Sequence, residues 1–199
     1  MMNPAVPVFF LTLVATVLLM LVTFSAPFVS EFTFLHADTA GGVGYGVWGW
    51  CIDTGNICSG KQFGYGFAPY VDPIFTKLHI LYPIAAGLSL LALFSLIPVL
   101  CSRYPYRALY PFPAFSLLTL LAWLASFIGF WVSVASWVIV MKRFERDGIT
   151  SSIAKSPMIW LALVATLLLM FVALNAGCGM MCRTRHGYQR RYSHYVYTY

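Results

Sequence analysis

Cysteine is the residue type with the widest chemical reach in this 199-residue sequence, and it occurs five times. Cys51 and Cys58 bracket Ile52-Asp53-Thr54-Gly55-Asn56-Ile57, in which Asp-Thr-Gly-Asn is a turn signal between two β-branched strand formers. That layout predicts a hairpin with a four-residue loop. It would set the two cysteines opposite each other, at a separation a disulfide can bridge. Cys178 and Cys182 form a CxxxC pair with His186 just beyond. Three such residues make a sparse metal set. Cysteines beside Arg183 and Arg185 at the end of an apolar run suit S-palmitoylation better, and Cys101 sits in an equivalent place. His36, Asp38, Asp72 and His79 would titrate as a group if they met in space; they are expected to be ordinary solvated groups. The sequence shows no Ser, Cys or His constellation suited to nucleophilic catalysis. The glycine-rich stretch from Gly41 to Gly66 lacks the Gly-Lys-Ser/Thr of a phosphate loop. No catalytic residue, cofactor or metal is therefore expected.

The elements that must position these residues are apolar. Hydrophobic residues make up 60% of the chain and charged residues 9%, against about 25% charged in a soluble domain. Lipid must therefore be the solvent for much of the surface. Four uncharged stretches, core residues 8–28, 79–100, 115–141 and 158–177, each hold enough apolar residues to cross a hydrocarbon core about 30 Å thick as a helix. They predict an all-α transmembrane four-helix bundle, left-handed, as a single tetraspan domain over 1–199. One large loop (29–78), two short ones and a tail (178–199) complete it. The first span is expected to be retained rather than cleaved as a signal peptide. Residues 1–7 contain no Lys or Arg, and the apolar run exceeds the usual h-region.

An even number of spans puts both termini on one side. Basic residues do not decide which, because each side carries six. The cysteines do. Cys51 and Cys58 share the large loop, whereas Cys101, Cys178 and Cys182 lie at the opposite boundary. Disulfides persist in oxidising compartments and free thiols in the cytosol. The expected orientation has cytosolic termini and an extracytosolic loop.

Within that loop, Tyr45, Val47, Trp50 and Ile52 favour strands, so a small β-sheet is expected there. Trp48 and Trp50 would lie at the membrane interface or form a small core beneath the hairpin, in preference to stacking on a ligand. The segment Gly46-Val47-Trp48-Gly49-Trp50-Cys51, followed by Cys58 and Gly64-Tyr65, resembles the outer loop of the fungal PalI/Sur-seven tetraspan family, a claudin-like group. The stretch from Lys77 to Leu88 (KLHILYPIAAGL) is similar to the PalI branch's entry into its second span. The resemblance implies a plasma-membrane protein without enzymatic activity. PalI-type members assist ambient-pH sensing, and Sur-seven-type members mark cortical membrane domains and support wall integrity. The PalI-like branch is favoured.

The third span places Ala122, Ser126, Gly129, Ser133 and Ser136 on one helical face. Small residues let helices approach closely in lipid. Packing inside the bundle, with Ala85, Ser89 and Ala92 as a matching seam, is expected ahead of homo-oligomerisation. No Asp, Glu, Lys or Arg lies inside a span, which argues against a pump or transporter. Without a basic face on a soluble element, nucleic acid is excluded as a partner. The expected partners are the lipid bilayer, with Arg183, Arg185, Arg190 and Arg191 favouring anionic lipid, and other membrane proteins. The leading function is a scaffold or assistant of membrane proteins. A claudin-like adhesion or wall-contact protein and a small channel or transporter subunit are the alternatives.

Overall fold

The computed structural model describes residues 5–26, 28, 33–37, 42–52, 57–59, 73–101, 113–146, 151–152 and 157–195. In chain order the elements are α1 (Ala5–Thr23), β1 (Leu35–Ala37), β2 (Val43–Tyr45), β3 (Trp50–Ile52), β4 (Ile57–Cys58), α2 (Pro73–Leu78), α3 (Leu81–Cys101), α4 (Pro113–Arg146), β5 (Ser151–Ser152) and α5 (Pro157–Tyr195). Proline opens α2, α4 and α5, at the position where its missing N–H leaves no gap in the helix ladder. The helices α1, α3, α4 and α5 are long and apolar enough to cross a membrane. They pack in a ring in chain order, with α5 closing on α1.

The core of the bundle is rich in small residues, and many large ones face outward. Ala15, Ala85, Ala86, Ala122, Ala162 and Ala165 are buried with Leu19, Val22 and Leu169 in the central core. Phe10, Val17, Leu91, Phe94, Leu124, Trp131, Val164 and Phe171 face outward. In lipid no hydrophobic force pulls large side chains inward, so close backbone approach decides what is buried. Several buried hydroxyls serve their own helices. Thr12, Thr16, Thr23 and Thr166 each bond the carbonyl four residues earlier, at 2.7–2.8 Å. Ser89 and Ser126 bond the carbonyl three residues earlier, at 2.9 Å.

The predicted small-residue face lies within this packing: Ala122, Ser126, Gly129 and Ser133 are buried and Ser136 is half-buried. On α3, Ala85, Ser89 and Ala92 are fully buried too. A Cβ added at Gly129 would sit 3.5 Å from Leu81 Cβ and 3.6 Å from the Tyr82 ring, an ordinary contact. Gly129→Ala is therefore expected to keep the melting temperature or raise it, since alanine gains up to about 1 kcal/mol over glycine in a helix. Gly129→Leu would wedge α3 from α4 and lower it. A melting series of the two variants in detergent decides the point, and an alanine variant as damaged as the leucine one would refute it.

The sheet stands at the end of the bundle where α1 and α4 finish and α3 begins. Its strand order is β4-β3-β2-β1-β5, antiparallel at every pairing. Four strands come from the large loop between α1 and α2, and β5 comes from the connection between α4 and α5. Helix α4 runs to Arg146, five residues past the expected span. Its length of roughly 51 Å exceeds the hydrocarbon thickness by about 20 Å. That projecting end carries the sheet: Val43 and Tyr45 of β2 are buried against Val140 and Phe144, with Trp50, Ile52, Trp137 and Met141 around them.

Three expectations are corrected. Helix α1 ends at Thr23, not Phe28, although apolar residues continue. Val47 lies in the turn between β2 and β3 rather than in a strand. His36 and His79 are buried, 8% and 7% exposed, rather than solvated. Asp38 and Asp72, with which they would have titrated, lie outside the described residues.

Candidate functional site

The sheet is fastened to the bundle at two places besides α4. The first is the β2–β3 turn, Gly46-Val47-Trp48-Gly49. Its N–H groups hold the residues that follow α1: Trp48 N donates to Ala26 O at 3.3 Å and Val47 N to Ser25 Oγ at 2.9 Å. The Trp48 indole Nε1 donates to Thr23 O at 2.7 Å. A helix C-terminus leaves its last carbonyls without intrahelical donors. Here the Trp48 indole serves the last carbonyl of α1, that of Thr23, and the turn's backbone N–H groups hold Ser25 and Ala26 just beyond the helix. The turn closes on itself through Gly46 N to Gly49 O at 2.8 Å. Gly46 permits the approach, because a Cβ there would collide with the Ala26 carbonyl oxygen and lie 2.7 Å from Ala26 N. Trp48 packs against the central core and meets Phe28 edge-on. Trp50 lies in the cluster beneath the sheet. Both rings therefore serve as core.

The second fastening is Phe34, beside β1, packed on a buried polar chain between α2, α3 and α4. His79 occupies the two-residue break between α2 and α3. Its Nδ1 is 2.8 Å from Phe75 O and its Nε2 is 3.1 Å from Ser133 Oγ. Tyr82 Oη is 2.9 Å from the same Oγ, and Ser133 also donates to Gly129 O at 3.0 Å. Phe34, just before β1, stacks on Tyr82 at 5.6 Å and meets His79 edge-on at 5.3 Å. A serine hydroxyl within reach of a histidine whose other nitrogen is tied down is the skeleton of a nucleophile–base pair. Here Ser133 is 4% exposed and lies in the middle of α4, behind Phe34. This chain of bonds joins α2, α3 and α4. Sequence reading missed it, because His79 and Ser133 are 54 residues apart and nothing local signals their meeting.

Cys51 and Cys58 are joined by a disulfide with a Cα–Cα distance of 4.1 Å. They face each other in the β3–β4 register, next to the Ile52–Ile57 pair. Cys51 is buried and Cys58 is exposed. Closing so short a loop restricts the unfolded chain by about 2.5 kcal/mol. Replacing both cysteines with alanine is expected to lower stability by about that amount. Reductant should then lower the melting temperature of the native chain and leave the double variant unmoved. A reductant effect that survives in the double variant would place the sensitive bond elsewhere.

Of the other predicted residues, Gly64 and Tyr65 lie outside the described residues. Cys101 ends α3, and Cys178 and Cys182 lie in the part of α5 beyond Gly177. Among the described residues no group of His, Cys, Asp and Glu has the geometry of a metal site. The four span-length helices and small antiparallel sheet make up the claudin-like arrangement.

A comparison with curated proteins finds no match. Residues 4–172 match the SUR7/PalI family, a stretch that takes in the first three spans, most of the fourth, the clamp on α1 and the disulfide hairpin. The chain belongs to the SUR7/PalI family of membrane proteins.

Proposed function

We propose that this chain is a non-enzymatic fungal plasma-membrane tetraspan, oriented with cytosolic termini and the sheet outside, that scaffolds or assists other membrane proteins. Within the family its role is PalI-like, in ambient-pH sensing, rather than Sur-seven-like. The observation that carries the reading is the fastening of the sheet to three helices. Trp48 grips α1, Phe34 beside β1 stacks on Tyr82 of α3, and Val43 and Tyr45 rest on α4. A sheet held this firmly presents a fixed surface to a partner, which favours recognition through preorganisation. The self-bonded hydroxyls of the bundle favour a scaffold over a channel subunit, since Ser126, Ser133 and Ser136 each donate to a main-chain carbonyl.

The test is a surface proteome of cells with and without the chain, at acidic and alkaline ambient pH. Loss of a small set of multi-pass proteins, with a failed alkaline response, is expected. Restoration should require an intact clamp on α1. Normal pH responses with weakened walls would move the role to the Sur-seven-like branch, and an unchanged surface proteome would overturn the scaffold reading. Orientation is tested separately with a membrane-impermeant maleimide. Cys51 and Cys58 should label from outside only after reduction, while Cys101, Cys178 and Cys182 stay protected. A second reading, adhesion to a neighbouring cell or wall, is favoured by Ile57, 61% exposed on the edge strand β4. It predicts that Ile57→Lys weakens adhesion and leaves the surface proteome intact.

A further inference from the structure

Helix α5 continues past its apolar span. The span covers Pro157–Gly177, whereas the helix runs Pro157–Tyr195. The remainder is roughly 27 Å of helix. It contains Arg183, Arg185, Arg190 and Arg191 with His186 and His194, and no acidic residue; the last acid in the whole chain is Asp147.

Helical register sorts this segment into two faces. Met181, Tyr188, Tyr192 and Tyr195 follow one another at intervals of seven, four and three residues and share one face. Arg183, His186, Arg190 and His194 follow at three, four and four and share the opposite face. Arg185 and Arg191 fall at the two borders of the aromatic face. Aromatic residues in the middle with arginines along the edges is the pattern of a helix lying in a membrane interface.

The junction has its own feature. A side chain at Gly177 would meet nothing within 4 Å, so no neighbour demands glycine there. Gly179 follows two residues on. Two poor helix formers therefore stand where the span ends, and paired small residues are where helices bend.

We propose that α5 bends at Gly177–Gly179 and lays residues 180–195 on a leaflet of anionic phospholipid, with the tyrosine face toward the acyl boundary, Arg185 and Arg191 at its borders on the phosphates, and Arg183 and Arg190 on the outer face adding to the attraction of the anionic surface. The occupant is lipid because the transmembrane part of α5 holds the extension at the bilayer surface. The segment's uncompensated positive charge complements anionic headgroups, which concentrate basic segments close to the surface.

The experiment uses the full-length chain in nanodiscs of phosphatidylcholine alone, or with about 30 mol % phosphatidylserine, and follows amide hydrogen exchange. Exchange in residues 180–195 should slow roughly tenfold or more in the anionic discs. It should recover near 1 M salt, where the Debye length falls to about 3 Å. Residues 157–177 should not change. A variant with all four arginines replaced by glutamine should lose the lipid dependence while its bundle remains protected. The double variant Gly177→Ala, Gly179→Ala should straighten the helix and lose most of the slowing. Equal exchange in the two disc types, or protection that persists in the glutamine variant, overturns the docking. Full protection in the alanine variant overturns the bend.

Discussion

Replacing Gly46 with leucine is expected to detach the sheet from α1 and to be the most damaging single substitution in the protein. Even alanine should be severe. The obstacle is main chain: a Cβ at Gly46 meets the Ala26 carbonyl oxygen and lies 2.7 Å from Ala26 N and 2.8 Å from Ala26 C. Ala26 cannot retreat without lengthening the Trp48 N bond to its own oxygen, already 3.3 Å, or disturbing the adjacent Ser25, which holds Val47 N. Collision together with loss of these capping bonds is expected to cost at least about 3–5 kcal/mol. Trp48→Phe separates the parts, because it keeps a ring against Phe28 and gives up only the indole bond to Thr23 O. Its expected cost is about 1–2 kcal/mol. Thermal unfolding of the three variants in nanodiscs, followed by intrinsic fluorescence, provides the ranking. The clamp would be wrong if Gly46→Leu melted alongside wild type. The tolerated Gly129→Ala serves as the control, since both glycines are buried and only one abuts backbone.

Ser133→Ala is expected to cost about 2–4 kcal/mol, more than a single hydroxyl ordinarily contributes. One oxygen serves three partners. Tyr82 Oη lies 2.9 Å away, His79 Nε2 3.1 Å and Gly129 O 3.0 Å. With Nδ1–H given to Phe75 O, His79 Nε2 is left as an acceptor that shares the single Ser133 proton with Gly129 O, while the Tyr82 O–H donates to the Ser133 oxygen. Removing the hydroxyl leaves the Tyr82 O–H and the His79 nitrogen buried with nothing to bond, and in a site this dry each carries its own desolvation penalty. Tyr82→Phe should be milder, about 1 kcal/mol, because Ser133 keeps its histidine and carbonyl partners. In the double variant one orphan disappears, so the two costs should fall short of additive by roughly 1 kcal/mol. A double-mutant cycle on melting free energies measures this. Strict additivity, or a Ser133→Ala cost no larger than that of Tyr82→Phe, would show that the bonds are independent.

Both sites show how far local sequence reaches. The four spans were legible because a run of apolar residues without charge has no other stable place than lipid, and a backbone there must form its own hydrogen bonds. The hairpin was legible because Asp53-Thr54-Gly55-Asn56 names a turn, and the two-residue alternation of strands then sets Cys51 against Cys58. The small-residue face of α4 was legible from helical periodicity alone. These features depend on residues fewer than about twenty apart, where geometry follows from residue type.

What tertiary structure decided has the opposite character. No pattern in residues 8–28 marks Thr23 as the end of α1, because its donors come from a turn more than twenty residues later. The burial of His79 was invisible, since an imidazole at a span edge reads the same whether it meets water or a serine 54 positions away. Trp48 and Trp50 divide between two cores for the same reason. The sequence determined that this chain lives in a bilayer with a pinned hairpin on one side, because hydropathy and turn chemistry are local free energies. Only the folded chain decided how that hairpin is held, because a hydrogen bond between distant residues exists only once the elements carrying them have packed.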